Sequence, residues 1–223
     1  MSPSIHHINE FMSCLSLGNE IHPELNRRVL GIAEYFVQQP FEGLKDVVPA
    51  YSSVSLVYDP VIISEYLGED SSVHEYISEL LFDAFQRGIK SSTGSEVIEV
   101  PVDYNLNTGP DLAYIAQEKN LSIEQVIEIH CSRIYHVYMI GFLPGFPYMG
   151  KVDPRIATPR KKQPRRTVPK GSVGIAGDQT GIYPAASPGG WQIIGRTDIP
   201  LFNPDDNPPS LLYPGAQVRF VRK

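Results

Sequence analysis

"GSVGIAGDQTGIYPAAS", residues 171–187, sets the architecture. Two short apolar runs are separated by glycines and closed by Pro184, a spacing that a helix tolerates poorly and short strands with turns at each end accommodate. The same texture continues outward in "IYHVYMIGF" (134–142), "GWQIIGRT" (190–197) and "GAQVRFVRK" (215–223). Many short strands bounded by turn residues indicate a closed or nearly closed β-barrel. Within this region "GFLPGFPYMG" (141–150) stands apart. Half of its residues are Gly or Pro and the rest are Phe142, Leu143, Phe146, Tyr148 and Met149, so its backbone can hardly run as a regular strand. Such a stretch suits the wall of a binding cleft or a protein interface, unless it folds back as core.

Before residue 103 the pattern alternates. "NEIHPELNRRVLGIAEYFVQQ" (19–39) spaces Leu25, Val29, Ile32, Ala33 and Phe36 as one helical face, with Pro23 near the start. "LKDVVPAYSSVSLVYDP" (44–60) reads as a hairpin. "SSVHEYISELLFDAFQRGIK" (71–90) is a second amphipathic helix ending at Gly88. "SSTGSE" breaks the chain and "EVIEVPVDY" (96–104) is a strand. With a first strand around 5–17 the order is β-α-β-β-α-β, a ferredoxin-like module. The expected organisation is a small α+β domain over 1–95 and a mainly-β barrel domain over 96–223. Two short helices open the second domain: "GPDLAYIAQEKN" with Asp111 as N-cap, and "LSIEQVIEIHC" with a Ser122/Gln125 capping box.

The chain of 223 residues, 42% hydrophobic and 20% charged, has the composition of an ordinary soluble protein. It has no apolar run of spanning length, and its N-terminus lacks a signal-peptide pattern, so a cytoplasmic location is expected with no membrane contact. Cys14 and Cys131 lack any metal or redox spacing, and no metal site is expected. The net charge of −6 hides an asymmetry: residues 159–171 carry six cations and no acid, leaving −12 on the remainder. That balance disfavours nucleic acid and leaves two readings of the basic run, a solvated loop or acidic-partner face, and a local anion site.

No P-loop, H-E-x-x-H, G-x-S-x-G or dinucleotide fingerprint is present. Gly171, Gly174, Gly177 and Gly181 could offer backbone N–H groups to an anion beside Arg166 and Lys170, or simply be barrel turns and close approaches. The single tryptophan, Trp191, follows the rigid Pro188-Gly189-Gly190 turn and can floor a pocket, with Gln179, Tyr183, Gln192 and Arg196 near it in sequence. His130 ends a helix, where a cation at the C-terminus is the plain reading; adjacency to Cys131 does not make a nucleophile pair.

"YMIGFLPGFPYMG" (138–150), "IATPRKKQPRRTVPKGSVGIAGDQTGIYPAASPGGWQIIGRT" (156–197) and "LLYPGAQVRF" (211–220), with the earlier "DVVPAYSSVSLVYDP", closely resemble the allophanate hydrolase subunit 1 family. That family includes the B-type subunit of bacterial 5-oxoprolinase and the sensor-kinase inhibitor KipI. The opening "HINEFMSCLSLGNE" (7–20) departs from the Gly-Asp-Ser-type start usual there. The resemblance implies that the barrel is cyclophilin-like and that the chain works with a second cyclophilin-like subunit, of the allophanate hydrolase subunit 2 type or 5-oxoprolinase C type, and with a third subunit of 5-oxoprolinase A type. It implies ATP-dependent opening of 5-oxoproline to glutamate, with ATP and Mg²⁺ bound in the assembled complex, because a stable lactam needs its oxygen activated. On that reading Arg160, Lys162, Arg165, Arg166 or Lys170 contacts phosphate or carboxylate, with Arg166 taken as catalytic. Gly171, Gly174, Gln179, Gly189, Gly190 and Trp191 shape the substrate or nucleotide pocket. Phe142, Pro144, Phe146 and Tyr148 form a cleft wall or partner surface, and His130 is the candidate base. The same resemblance carries two other expectations: a regulator that binds a sensor histidine kinase, and a component of an allophanate or urea-derivative hydrolase, although the amidase Ser-Ser-Lys pattern is missing.

Overall fold

The computed structural model describes residues 3–68, 71–91 and 96–223. The chain divides into two compact units, Met1–Thr93 and Gly94–Lys223. Most of the "SSTGSE" break, residues 92–95, lies outside the described residues.

The first unit opens with two strands, β1 (Ser4–Asn9) and β2 (Met12–Ser16), where one was expected. The Asn9 carboxamide oxygen accepts from the Phe11 N–H and closes a tight turn between them. Helix α1 (Pro23–Gln38) follows, capped by His22 and buried along Val29, Ile32, Ala33 and Phe36. Buried Asn26 donates to the Ala50 and Tyr51 carbonyls and so ties α1 to the turn between β3 (Leu44–Pro49) and β4 (Ser53–Tyr58). Helix α2 (Pro60–Leu67) was not expected, yet its start is written in the sequence: Asp59 caps the Val61 and Ile62 N–H groups and Pro60 takes the first position. Helix α3 (Val73–Gln86) buries Ile77, Leu81 and Ala84.

The ferredoxin-like expectation fails here. The sheet is four-stranded and antiparallel in the order β1-β2-β4-β3. The strand expected to complete it, β5 (Val97–Val102), instead pairs in parallel with the last strand of the second unit.

In the second unit β5 leads to helices α4 (Leu112–Glu118) and α5 (Ile123–Cys131), the latter with the Ser122/Gln125 capping box. Strands β6 (Ile134–Ile140), β7 (Pro147–Gly150), β8 (Arg165–Val168), β9 (Ser172–Ala176), β10 (Gln179–Ile182), β11 (Ser187–Gly189), β12 (Gln192–Arg196) and β13 (Gln217–Arg222) complete it. Seven strands form one sheet in the order β12-β9-β10-β7-β6-β13-β5. Its edges meet at a bridge in which Asp103 and Arg196 exchange two backbone hydrogen bonds of 2.8 and 3.1 Å, nearly closing the barrel. Gly195 permits that seam, because a Cβ there would lie 2.6 Å from Val102 Cγ1. The "GFLPGFPYMG" stretch is part loop and part sheet: Pro147–Gly150 is a strand despite its proline, paired with β6 across a bulge.

Strands β8 and β11 form a separate two-stranded ribbon. It sets the basic run beside the turn into Trp191, and Lys161 reinforces it by donating its N–H to the Gly190 carbonyl at 2.7 Å.

Candidate functional site

Three segments distant in sequence converge around Phe146, which is buried in a small core with Val168, Ala176, Tyr183, Trp191 and Ile193. Its ring lies 4.9 Å from Tyr148, 5.2 Å from Tyr183, 5.4 Å from Trp191 and 5.6 Å from Phe142, mostly edge to face. Above this cluster opens a cleft of about 230 Å³ walled by Phe142, Tyr148, Arg160, Gly189, Gly190 and Trp191. Phe142 is 60% exposed and holds a left-handed backbone conformation, φ 67°, that bulky residues seldom adopt. The loop is therefore both things at once: Phe146 is core, and Phe142, Pro144 and Tyr148 reach the surface.

The Arg160 guanidinium stands 5.8 Å from the Trp191 ring centre, within cation–π range. It makes no ion pair among the described residues. It also lines a second cleft of about 650 Å³, together with Tyr114, Pro159, Lys161, Lys162, Gln163 and Gln192. Gln192 is buried and donates Nε2–H to the Pro159 carbonyl at 2.9 Å, while its Oε1 accepts no hydrogen bond.

What holds the basic run in place is Asp111. It occupies the N-cap position of α4, as expected, but its side chain makes no capping hydrogen bond there. Its carboxylate instead accepts from Arg165 at 2.8 Å, Lys161 at 3.0 Å and the Ile193 N–H at 2.6 Å, and it is almost wholly buried. Burial by itself raises the carboxyl's pKa; the hydrogen bonds from Arg165, Ile193 and Lys161 outweigh that and hold it below the usual carboxylate range. Two of the six cations are thus paired from within by a single carboxylate. The hint available in the sequence was one acid directly before a short helix, ahead of six unbalanced cations.

The structure brings Arg160, Lys162, Gly189, Gly190 and Trp191 to the clefts and leaves others out. Arg165 is spent on Asp111. Arg166 and Lys170 are exposed, and with Gln179 they line neither cleft. The glycine segment is not an anion nest. Gly171 donates its N–H to the Tyr183 carbonyl and packs so closely that a Cβ would meet the Thr197 carbonyl at 2.1 Å; the N–H groups of Ser172 and Gly177 go to Pro169 and Thr158. Gly174 lies inside the sheet and makes room for Trp191, whose Cβ is 3.1 Å from where a glycine Cβ would sit. Among the described residues no group of three or more His, Cys, Asp or Glu gathers as a metal site. The residues present therefore fit a small anion held by side chains better than a nucleoside triphosphate cradled by backbone.

His130 is corrected in both of its expected roles. It is fully buried, so it reaches neither cleft, and burial pushes its pKa down to about 3, so it carries no charge at the helix end. Thr180 gives its hydroxyl proton to the Gly174 carbonyl at 3.0 Å, so His130 must donate Nε2–H to Thr180 at 3.0 Å. Nδ1 then accepts from the Tyr104 hydroxyl at 2.8 Å, and that hydroxyl accepts from Cys131. Burial also raises the Cys131 thiol, leaving it a poor nucleophile.

Residues 3–212 match the family described as carboxyltransferase domain, subdomain C and D. The chain belongs to this family. It is 40% identical to the B-type subunit of 5-oxoprolinase from Bacillus subtilis (strain 168) over 227 residues, covering 98% of this chain and 92% of that protein. The resemblance carried by residues 46–60 and 138–220 is thus matched by a likeness along nearly the whole chain. Among solved structures, TTHA0988 aligns with TM-score 0.80 and 36% identity over 99% of this chain, which spans 40% of the TTHA0988 chain. The Kluyveromyces lactis urea carboxylase shares the fold alone: TM-score 0.76 and 20% identity over 99% of this chain and 22% of the enzyme. Among the described residues of this family member, no helix is long and apolar enough to cross a membrane.

Proposed function

We propose that the chain is the B-type subunit of a multi-component ATP-dependent 5-oxoprolinase, which opens 5-oxoproline to glutamate and is active only when assembled with a second cyclophilin-like subunit and a third, separate subunit of 5-oxoprolinase A type. The near full-length likeness to a protein named as this component of 5-oxoprolinase supports the reaction. The observation that carries this subunit's part in it is Arg160. It is a cation with no ion pair among the described residues, held against Trp191 and shared by two clefts, and so suited to the carboxylate of a small acid. The aromatic rim of exposed Phe142 and half-buried Tyr148 supplies a wall for the ligand or a face for the second subunit. ATP and its magnesium sit on another component in this reading, because the glycine segment here has spent the N–H groups a phosphate would need.

The test is glutamate release from 5-oxoproline with ATP and Mg²⁺, using the chain purified with its partner subunits. Arg160→Ala is expected to raise KM about tenfold or more, the loss of one charge-assisted contact, with folding intact. No glutamate from a folded, verified complex would remove the reaction; an unchanged KM would remove Arg160.

A further inference from the structure

Among the described residues that line the two clefts, Gln192 has a buried polar atom left without a partner. A side-chain amide has two donors and an acceptor; here Nε2 is engaged with Pro159, and Oε1 is buried with no hydrogen-bond partner. A buried carbonyl without a partner costs free energy that a hydrophobic residue of the same size would avoid. The residue lies in the wall of a roomy cleft whose other polar side chains include Arg160, Lys161 and Lys162. Lys161 is occupied by Asp111, whereas Arg160 makes no ion pair among the described residues and Lys162 is exposed. The cleft thus offers an acceptor in want of a donor, beside cations in want of an anion.

We propose that this cleft binds a compact anion carrying its own N–H, an amide or lactam acid, with Gln192 Oε1 accepting the N–H and Arg160 and Lys162 holding the anionic group. Gln192 is then the residue that distinguishes a secondary amide from an ester of the same shape or from an N-alkylated amide, neither of which has an N–H to give. The assignment rests on the function proposed above for its probe, 5-oxoproline, which has one lactam N–H and one carboxylate. Oε1 is out of reach of solvent while Gln192 lines the cleft beside Pro159, Arg160, Lys161, Lys162 and Gln163, so on this proposal the ligand's N–H reaches it only when that segment shifts. That segment carries Arg160, and Arg160 stands over the sole tryptophan, so binding is expected to change Trp191 fluorescence.

The experiment titrates the full chain, alone and in its complex, with 5-oxoproline and with N-methyl-5-oxoproline, following Trp191 fluorescence and, independently, saturation transfer to the ligand by NMR. Wild type should bind the N-methyl compound at least about tenfold more weakly. Gln192→Met, which keeps size and removes the acceptor, should abolish that discrimination. Lys162→Ala should weaken both ligands equally. Equal binding of the two ligands by wild type, persistence of the discrimination in Gln192→Met, or no binding by either method to chain and complex would each overturn the proposal. The two readings fail separately. A complex that opens 5-oxoproline with the same kcat/KM in Gln192→Met removes Gln192 and leaves the function standing. A complex that releases no glutamate while the chain still discriminates against the N-methyl compound removes the function and leaves this site.

Discussion

Two buried polar residues of the second unit, His130 and Asp111, differ in one respect that decides what each can do. His130 is neutral and sits in a closed chain of hydrogen bonds that runs from Cys131 through Tyr104, the imidazole and Thr180 to the Gly174 carbonyl. Nothing in that chain needs solvent, and the imidazole at its centre is fully buried, 4.5 Å from the Phe220 ring, with only Cys131 at its start partly exposed. Asp111 is charged, and a buried charge is tolerable only with cations brought to it. Those cations, Lys161 and Arg165, belong to a surface segment, so satisfying the carboxylate also fixes the wall of two clefts. A neutral buried network can remain scaffolding, while a charged one reaches outward and shapes a site.

Removing His130 is the strongest way to test the scaffolding half. His130→Ala leaves a cavity beside Phe220 and Tyr135 and orphans the Tyr104 and Thr180 hydroxyl contacts. The expected loss is about 3 kcal/mol from the cavity and unpaired groups together. Urea unfolding followed at Trp191, which lies in the same unit, measures it; a loss under about 1 kcal/mol would show that the network is not integral to the core.

Asp111→Ala should cost less, about 2 kcal/mol, although it deletes a charge. Lys161 and Arg165 are 32% and 26% exposed and can rehydrate, so the main penalty is the Ile193 N–H left without its acceptor. The same variant should free the basic segment and alter the Trp191 emission through Arg160, a change His130→Ala has no direct route to produce. Wild-type emission from a folded Asp111→Ala protein would break the link between the buried carboxylate and the cleft.

The contrast also explains what was legible beforehand. Local signals were readable: the α1 and α3 stripes, the β3–β4 hairpin, the Ser122 capping box and the run of short strands all follow from spacing. Pairing across distance was not. The Val97–Val102 strand looks the same whether its partner lies in the first sheet or is β13, and only the parallel register with Gln217–Arg222 decides it. The candidate site divides the same way. Trp191 and Arg160 stood out by type and neighbourhood, whereas the difference between Arg160, left for a ligand, and Arg165, spent on Asp111, depends on an acid about fifty residues upstream. Glycines 171 and 174 misled because a glycine that exposes its N–H and one that admits a neighbour look alike in a sequence.

The finest separation between the two residues comes from acid. The folded His130 pKa, about 3, lies below the 6.5 of an unburied imidazole, so the unfolded chain binds a proton that the folded chain refuses. Stability from this source is complete above pH 6.5 and declines as the pH falls toward 3, by roughly 1.4 kcal/mol per unit while only the unfolded state is protonated. Asp111 behaves differently: its folded pKa is depressed from 3.8, so its contribution persists above that value and is lost only below it. Between pH 6 and 4.5 the acid sensitivity of the second unit should therefore come from His130 and not from Asp111. His7, also lowered by burial and by His74, belongs to the first unit and is remote from the Trp191 reporter in sequence. Urea midpoints read at Trp191 across this window should fall steeply in wild type and in Asp111→Ala, and flatten in His130→Gln, which keeps hydrogen-bonding atoms and cannot take up the proton. An equally steep fall in His130→Gln would place the acid-sensitive group elsewhere and remove the neutral imidazole as the distinguishing feature of the core network.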